Sequence, residues 1–301
     1  IGSNMFNNYK KLDDVEISSI SLKVNENCFN NNANLKNLLF GCFDVEIQSN
    51  CFNGNKHCES IQFNNALYMN LDSNDFCDCK SLKEIQLISA AYLIVGQNCF
   101  SRAEQLEIVE LHSKEVTIGS EAFNKCSSLN TVHFIQAVSI LPIKGVAVSL
   151  QSSIEMIENI FIGDEAFNSC NKLSELKIDC SNELFIGKNC FHNLTKLMNV
   201  KINCPHSKID PSSFTKCPGY KNIEIKIQPK KSNALENFDL ALNLDRNKFN
   251  NVDPVYLTMK NDRKFDSFFV LGIDRYTTKP SFISMFPVKS SSFEDESCWK
   301  I

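Results

Sequence analysis

Several things are missing from this chain of 301 residues, and each absence narrows its function. It has no run of about eighteen apolar residues, so a transmembrane helix is not expected. It has no G-x-G-x-x-G, P-loop, H-E-x-x-H or EF-hand loop, which removes the common routes to nucleotide, zinc-protease and calcium chemistry. Its formal charge is −4, without the basic stripe that binding nucleic acid requires. The five histidines (57, 112, 133, 192 and 206) are scattered. Cys77-Asp78-Cys79 has no second pair, and nothing brings Ser, His and Asp together at a strained turn. No catalytic residue, cofactor or metal is therefore expected. The chain starts with Ile1, not Met, inside a repeated pattern. An uncapped end exposes core, so the expectation is that further chain precedes it.

What is present is a repeat. Ile118–Phe134 reads IGSEAFNKCSSLNTVHF, and it recurs at Ile162–Ile178 (IGDEAFNSCNKLSELKI), Ile186–Ile202 (IGKNCFHNLTKLMNVKI) and Ile1–Ile17 (IGSNMFNNYKKLDDVEI). An anchoring Phe falls at positions 6, 29, 52, 76, 100, 123, 167, 191 and 214. Neighbouring anchors are 23 or 24 residues apart except Phe123 and Phe167, where the gap is 44. A gap of about two periods predicts an eroded repeat at Ile140–Met156, with Gly145 where the Phe belongs. Apolar columns lie five residues before the anchor (Val95, Ile118, Ile162) and six, nine and eleven after it (Leu129, Val132, Phe134 in one repeat). The last of these alternate, which places them on one face of a strand. The Phe segment predicts a short turn of α or 3₁₀ helix on the opposite wall. The Gly column (Gly2, Gly96, Gly119, Gly163, Gly187) predicts a tight corner with strained backbone.

One repeat cannot bury its own apolar face, so the units must stack. About ten coils at roughly 4.8 Å each build a parallel sheet on the order of 50 Å long. The motif I-G-x-x-[AC]-F-x-x-C-x-x-L-x-x-[VI]-x-[IF] resembles the BspA-like, treponema-type leucine-rich repeat. The resemblance covers residues 1–225, about three quarters of the chain. It implies an α/β leucine-rich-repeat solenoid, dominated by β structure, with a parallel sheet on the concave face. It also implies a surface or adhesion role; an intracellular adaptor is the alternative.

Fourteen cysteines suggest a disulfide framework, but their positions read differently. Cys28, Cys51, Cys99 and Cys190 precede the anchor; Cys79, Cys126, Cys170 and Cys217 follow it by three; Cys58 replaces a core Leu. These are the places of small buried hydrophobes, and the pattern tolerates a reducing compartment. Cys180 and Cys204 share a column in adjacent coils, close enough for a disulfide; two stacked reduced thiols are the favoured expectation. Asn-rich stretches such as Asn30–Asn34 read as solvated turns in which Asn tolerates left-handed geometry. Asn193-Leu194-Thr195 is the one glycosylation sequon, read as a chance match.

Solenoids bind on their concave faces, and residues eight, ten and twelve after the anchor should point there. In the middle coils these are Glu84, Gln86, Ile88, Ile108, Glu110, His112, Thr131, His133 and Ile135. Ile88, Ile108 and Ile135 are expected to form one apolar patch rimmed by acidic and His side chains, a candidate site for a protein ligand. The competing reading is that Ile is simply a good strand former on a partly shielded face. A metal between His112 and His133 would need Glu110 and Glu84 as further ligands; a solvated polar face is the favoured reading.

After residue 225 the period stops. Residues 226–288 carry the strand-like runs FFVLGI and FISMFPV and are expected to form a C-terminal cap or small domain; residues 289–301 are expected to be a disordered tail. Cys298, four from the end, is placed as in a prenylation box, although Trp299, Lys300 and the final Ile301 fit it poorly. Membrane association would thus come only through that cysteine or through a preceding segment. A monomer is expected.

Overall fold

The structure, a computed structural model, describes residues 1–63, 66–135, 156–210, 212–219, 222–227, 255–261 and 265–271. Among them lie fifteen strands and no helix. In chain order these are β1 (Asp14–Val24), β2 (Asn37–Ile47), β3 (Ser60–Phe63), β4 (Ala66–Leu71), β5 (Glu84–Val95), β6 (Ile108–His112), β7 (Glu115–Ile118), β8 (Thr131–Ile135), β9 (Ile157–Ile162), β10 (Glu175–Ile186), β11 (Asn199–Asn203), β12 (His206–Ile209), β13 (Asn222–Ile227), β14 (Val255–Asn261) and β15 (Phe265–Leu271).

Each coil carries two strand segments rather than one. The first arm is the alternating segment read from the sequence, such as β6 or β11. The second arm follows at once, as in β7 or β12, and leads into the next anchor. In β1, β2, β5 and β10 the two arms run together as one strand of 11 or 12 residues. Neighbouring coils pair in parallel and in register on both arms, for example Ile85↔Val109 and Leu93↔Val116. The corner between the arms is lined by small residues thirteen after the anchor: Cys42, Ser89, Ser113, Cys180 and Cys204, all buried. There the bend frees carbonyls, and serine hydroxyls satisfy them: Ser89 Oγ donates to Leu67 O (2.8 Å) and Ser113 Oγ to Ala91 O (3.0 Å). Cys180 and Cys204, expected as reduced thiols, are joined by a disulfide across adjacent corners with Cα atoms 4.9 Å apart. Parallel pairing brings equivalent corners within disulfide reach.

The nine anchor rings form one continuous stack from Phe6 to Phe214. Neighbouring centroids are 4.9–5.4 Å apart and the planes within 14° of parallel. That spacing is the strand repeat, slightly opened by ring thickness. Phe123 and Phe167 are direct neighbours in the stack, at 5.1 Å, and β7 pairs with β9 in register. No coil therefore stands between them, contrary to the eroded repeat expected at 140–156. Apart from Met156 that segment lies outside the described residues. In sequence it falls between β8 and β9, whereas only Ser113-Lys114 stands between β6 and β7. A long corner insertion and a worn coil produce nearly the same gap between anchors.

The Phe wall is not helical. Residues two before and two after the anchor adopt positive φ in coil after coil: Asn74 and Asp78, Asn98 and Arg102, Glu121 and Lys125. This alternation breaks any helix and turns backbone groups along the stacking axis. The anchor N–H donates to the residue before the next anchor, as in Phe76 N to Cys99 O (2.8 Å) and Phe100 N to Ala122 O (2.7 Å). Asn supplies many of these positions because it tolerates left-handed geometry. The Gly column has a different cause from the one expected. Gly96, Gly119, Gly163 and Gly187 do not have positive φ; a Cβ on Gly119 would lie 2.7 Å from Gln97 N and Gly96 C. Close approach of successive backbones excludes a side chain there.

Beyond β13 the sheet continues: β14 pairs parallel with β13, and β15 pairs antiparallel with β14. The FFVL of the expected FFVLGI strand falls in β15, and FISMFPV lies outside the described residues.

Candidate functional site

Both arms present an outward face, because inward and outward side chains alternate along each strand. On the first arm the register sorts the expected site into three rows. Glu84, Ile108 and Thr131 share one; Gln86, Glu110 and His133 the second; Ile88, His112 and Ile135 the third. The three isoleucines therefore do not form one patch. Ile108 lies four residues along the strand from the row of Ile88 and Ile135, about 13 Å away, and His112 separates the other two. Coils counted as consecutive do not place residues of different column in one row.

What the register does gather is polar. Glu110 accepts from Gln86 Nε2 (2.8 Å) and lies 3.4 Å from His112 Nε2 and 3.7 Å from His133 Nδ1. The Gln86 hydrogen bond, with help from the two imidazoles, holds the Glu110 carboxyl below its ordinary range against partial burial. Among the described residues no group of His, Cys, Asp and Glu is arranged to hold a metal.

The second arm was not anticipated. Its inward side chains are Leu22, Val45, Met69, Leu93, Val116, Ile160 and Leu184, seven residues before each anchor. With the column five before the anchor they make the period-two signal of a strand, visible in the sequence once both columns are aligned. Its outward side chains form two rows across the coils. One reads Ser21, Asp44, Tyr68, Tyr92, Glu115, Asn159, Glu183, His206; the other Lys23, Glu46, Asn70, Ile94, Thr117, Phe161, Phe185, Lys208. Tyr68, Tyr92, Ile94 and Phe161 are among the most exposed large hydrophobic side chains described. Tyr68 and Tyr92 stack at 5.8 Å, and Lys208 Nζ sits 5.8 Å over the Phe185 ring.

Titratable groups in the interior are structural. Among the described residues eleven cysteines outside the disulfide are buried, and burial pushes the thiol of Cys51 up to about 12. Asp75 occupies the column that Cys51 and Cys99 fill in the flanking coils, and it is fully buried. Its Oδ1 accepts from Cys51 N–H (3.1 Å), while Oδ2 has no partner. Burial pushes its carboxyl up to about 9, so the group is neutral at physiological pH. Cys298 lies outside the described residues. Among those described, no helix is long and apolar enough to cross a membrane.

The family model for the BspA type leucine rich repeat region matches this chain in six copies, over residues 1–90, 45–146 and 147–252. A leucine-rich repeat protein from Bacteroides ovatus ATCC 8483, known from its crystal structure, is similar at 18% identity and a TM-score of 0.47. The similarity covers 79% of this chain and 57% of that one, so the chain spans little more than half of that protein's length. Comparison with curated proteins gives no match. The matched repeats run through most of the stacked coils, and the chain belongs to the BspA-type leucine-rich repeat family.

Proposed function

We propose that this chain is a non-catalytic, protein-binding solenoid acting at a cell surface in an adhesion role. The observation that carries the reading is the second-arm face, where Tyr68, Tyr92, Ile94 and Phe161 stand exposed on a rigid, in-register sheet. Aromatic side chains held outward at fixed spacing contribute large contact area at little loss of conformational freedom, which suits a protein ligand. Membership of the repeat family supports the surface role. The Cys180–Cys204 disulfide agrees with it, since such bonds persist outside reducing compartments. The eleven buried cysteines described outside that disulfide favour a second reading, an intracellular adaptor, because buried thiols are compatible with a reducing environment.

Labelling intact cells with a membrane-impermeant biotin reagent separates the two: biotinylated protein supports the surface reading, and labelling only after lysis supports the adaptor. Pull-downs then compare the wild type with a first-arm variant (Glu84→Lys/His133→Asp) and a second-arm variant (Tyr68→Ala/Tyr92→Ala). Loss of a partner in either one supports protein binding on that face. Failure of the folded wild type to retain any protein overturns the reading.

A further inference from the structure

We propose that the row Asp44–Tyr68–Tyr92–Glu115 on the second arm is a docking site for an extended, Arg- or Lys-bearing segment of a partner protein; the proposal rests on the protein-binding reading above. The four residues are successive partners across β2, β4, β5 and β7. At about 4.8 Å per strand they span roughly 14 Å. Two stacked rings, 47% and 48% exposed, are thus bracketed on both sides by carboxylates. An open groove passes over the same place, lined by Lys23, Asp44, Glu46, Tyr68, Tyr92 and Ile94.

The charge distribution selects a cation. The nearby lysines already have partners: Lys23 bonds Glu46 (2.5 Å) and Lys114 bonds Glu158 (3.2 Å). Among the described residues, neither Asp44 nor Glu115 is engaged in an ion pair. Ring faces attract cations as well, and guanidinium stacks on them especially well. The protein shows the same arrangement in its own chain, where the Lys208 ammonium sits over the Phe185 ring on this arm. Geometry selects an extended segment. Alternate residues of a strand point the same way about every 6.6–6.8 Å, so residues i and i+4 reach about 13–14 Å. Basic residues at i and i+4 would meet Asp44 and Glu115, with a third at i+2 over the tyrosine pair.

The test measures fluorescence anisotropy of a labelled decapeptide of alternating Arg and Ser, with a Glu/Ser peptide and free spermine as comparisons. The Arg peptide is expected to bind the wild type in a salt-sensitive way, and the Glu peptide is not. Binding should weaken about tenfold or more in Tyr68→Ala/Tyr92→Ala and in Asp44→Asn/Glu115→Gln. It should survive in Tyr68→Phe/Tyr92→Phe and in Glu84→Gln/His133→Gln on the other face. The altered side chains are exposed or half-exposed, and a melting curve checks each fold; Tyr92→Lys, which places a cation in the row, serves if a double variant misfolds. Undiminished binding in the Tyr→Ala variant, equal binding of the Glu peptide, or displacement by spermine at equal charge would overturn the proposal. Partner capture that survives every second-arm variant would leave the protein-binding reading standing and remove this site.

Discussion

Replacing Asp75 with Asn should stabilise the protein at neutral pH and flatten its response to pH. In the folded chain the Asp75 carboxyl is fully buried, and the backbone hydrogen bonds that favour its anion, from Cys51 and then Asp72, count for less than that burial. Burial therefore raises it to about 9, whereas in the unfolded chain it titrates near its ordinary value of about 3.9. Between those values the folded state holds a proton that the unfolded state has released. Stability from this group is thus complete below about pH 4 and is lost as pH rises, by about 1.4 kcal/mol per unit until about pH 9. At pH 7 the accumulated loss is roughly 4 kcal/mol. Asn has the same shape and does not titrate, so the gap between variant and wild type should widen by about 4 kcal/mol from pH 5 to pH 8. Urea unfolding at pH 5, 6, 7 and 8 reads this as diverging midpoints at constant slope. Amide exchange at Phe52 and Phe76, whose N–H groups bond to Asp75 O and Cys99 O, localises the effect to these coils. Parallel pH–stability curves for the two proteins would show that Asp75 is ionised when folded, and the reasoning would fail.

The ring stack and the corner geometry make further predictions. Phe123→Ala removes a fully buried ring flanked by neighbours at 5.4 and 5.1 Å, and should lower stability by about 3–5 kcal/mol in denaturant titration. Gly119→Ala drives a methyl into backbone at 2.7 Å and should cost about 1–3 kcal/mol, whereas Gly41→Ala meets only the Ser18 hydroxyl at 3.0 Å and should change stability by less than about 0.5 kcal/mol. Lys125 is exposed at φ 62°, so Lys125→Gly should raise stability by up to about 1 kcal/mol. Replacing residues 136–156 with the Ser-Lys pair that joins β6 to β7 should leave the melting temperature within a few degrees; loss of the folded state would mean that the segment forms part of the stack after all.

The inward half of the solenoid was legible in the sequence because every coil faces the same problem. Phe76, Leu82, Ile85 and Leu87 must all point into one shared core, so the same columns stay apolar and the period shows through. The gap between Phe123 and Phe167 was misread because spacing records chain length and not which anchors become neighbours in the stack. The isoleucine patch was misread for a related reason: Ile88, Ile108 and Ile135 come from consecutive coils, but pairing aligns Ile88 with His112 and aligns Ile108 with Glu84. The second strand was legible and overlooked, since Leu93 and Val95 alternate as plainly as Ile85 and Leu87. Asp75 stood in the Cys column all along, but its neutral state follows from desolvation, which a sequence does not display.

The sequence by itself determined the repeat, its parallel stacking and the row of phenylalanines, because burial of apolar surface is periodic and leaves a periodic record. Only the tertiary structure decided which outward side chains became neighbours: Tyr68 with Tyr92, Asp44 and Glu115 at either side of them, and Glu110 between Gln86 and His133. Those neighbours belong to different coils and answer to register alone, and register is set by backbone pairing rather than by the chemistry of the side chains that it brings together.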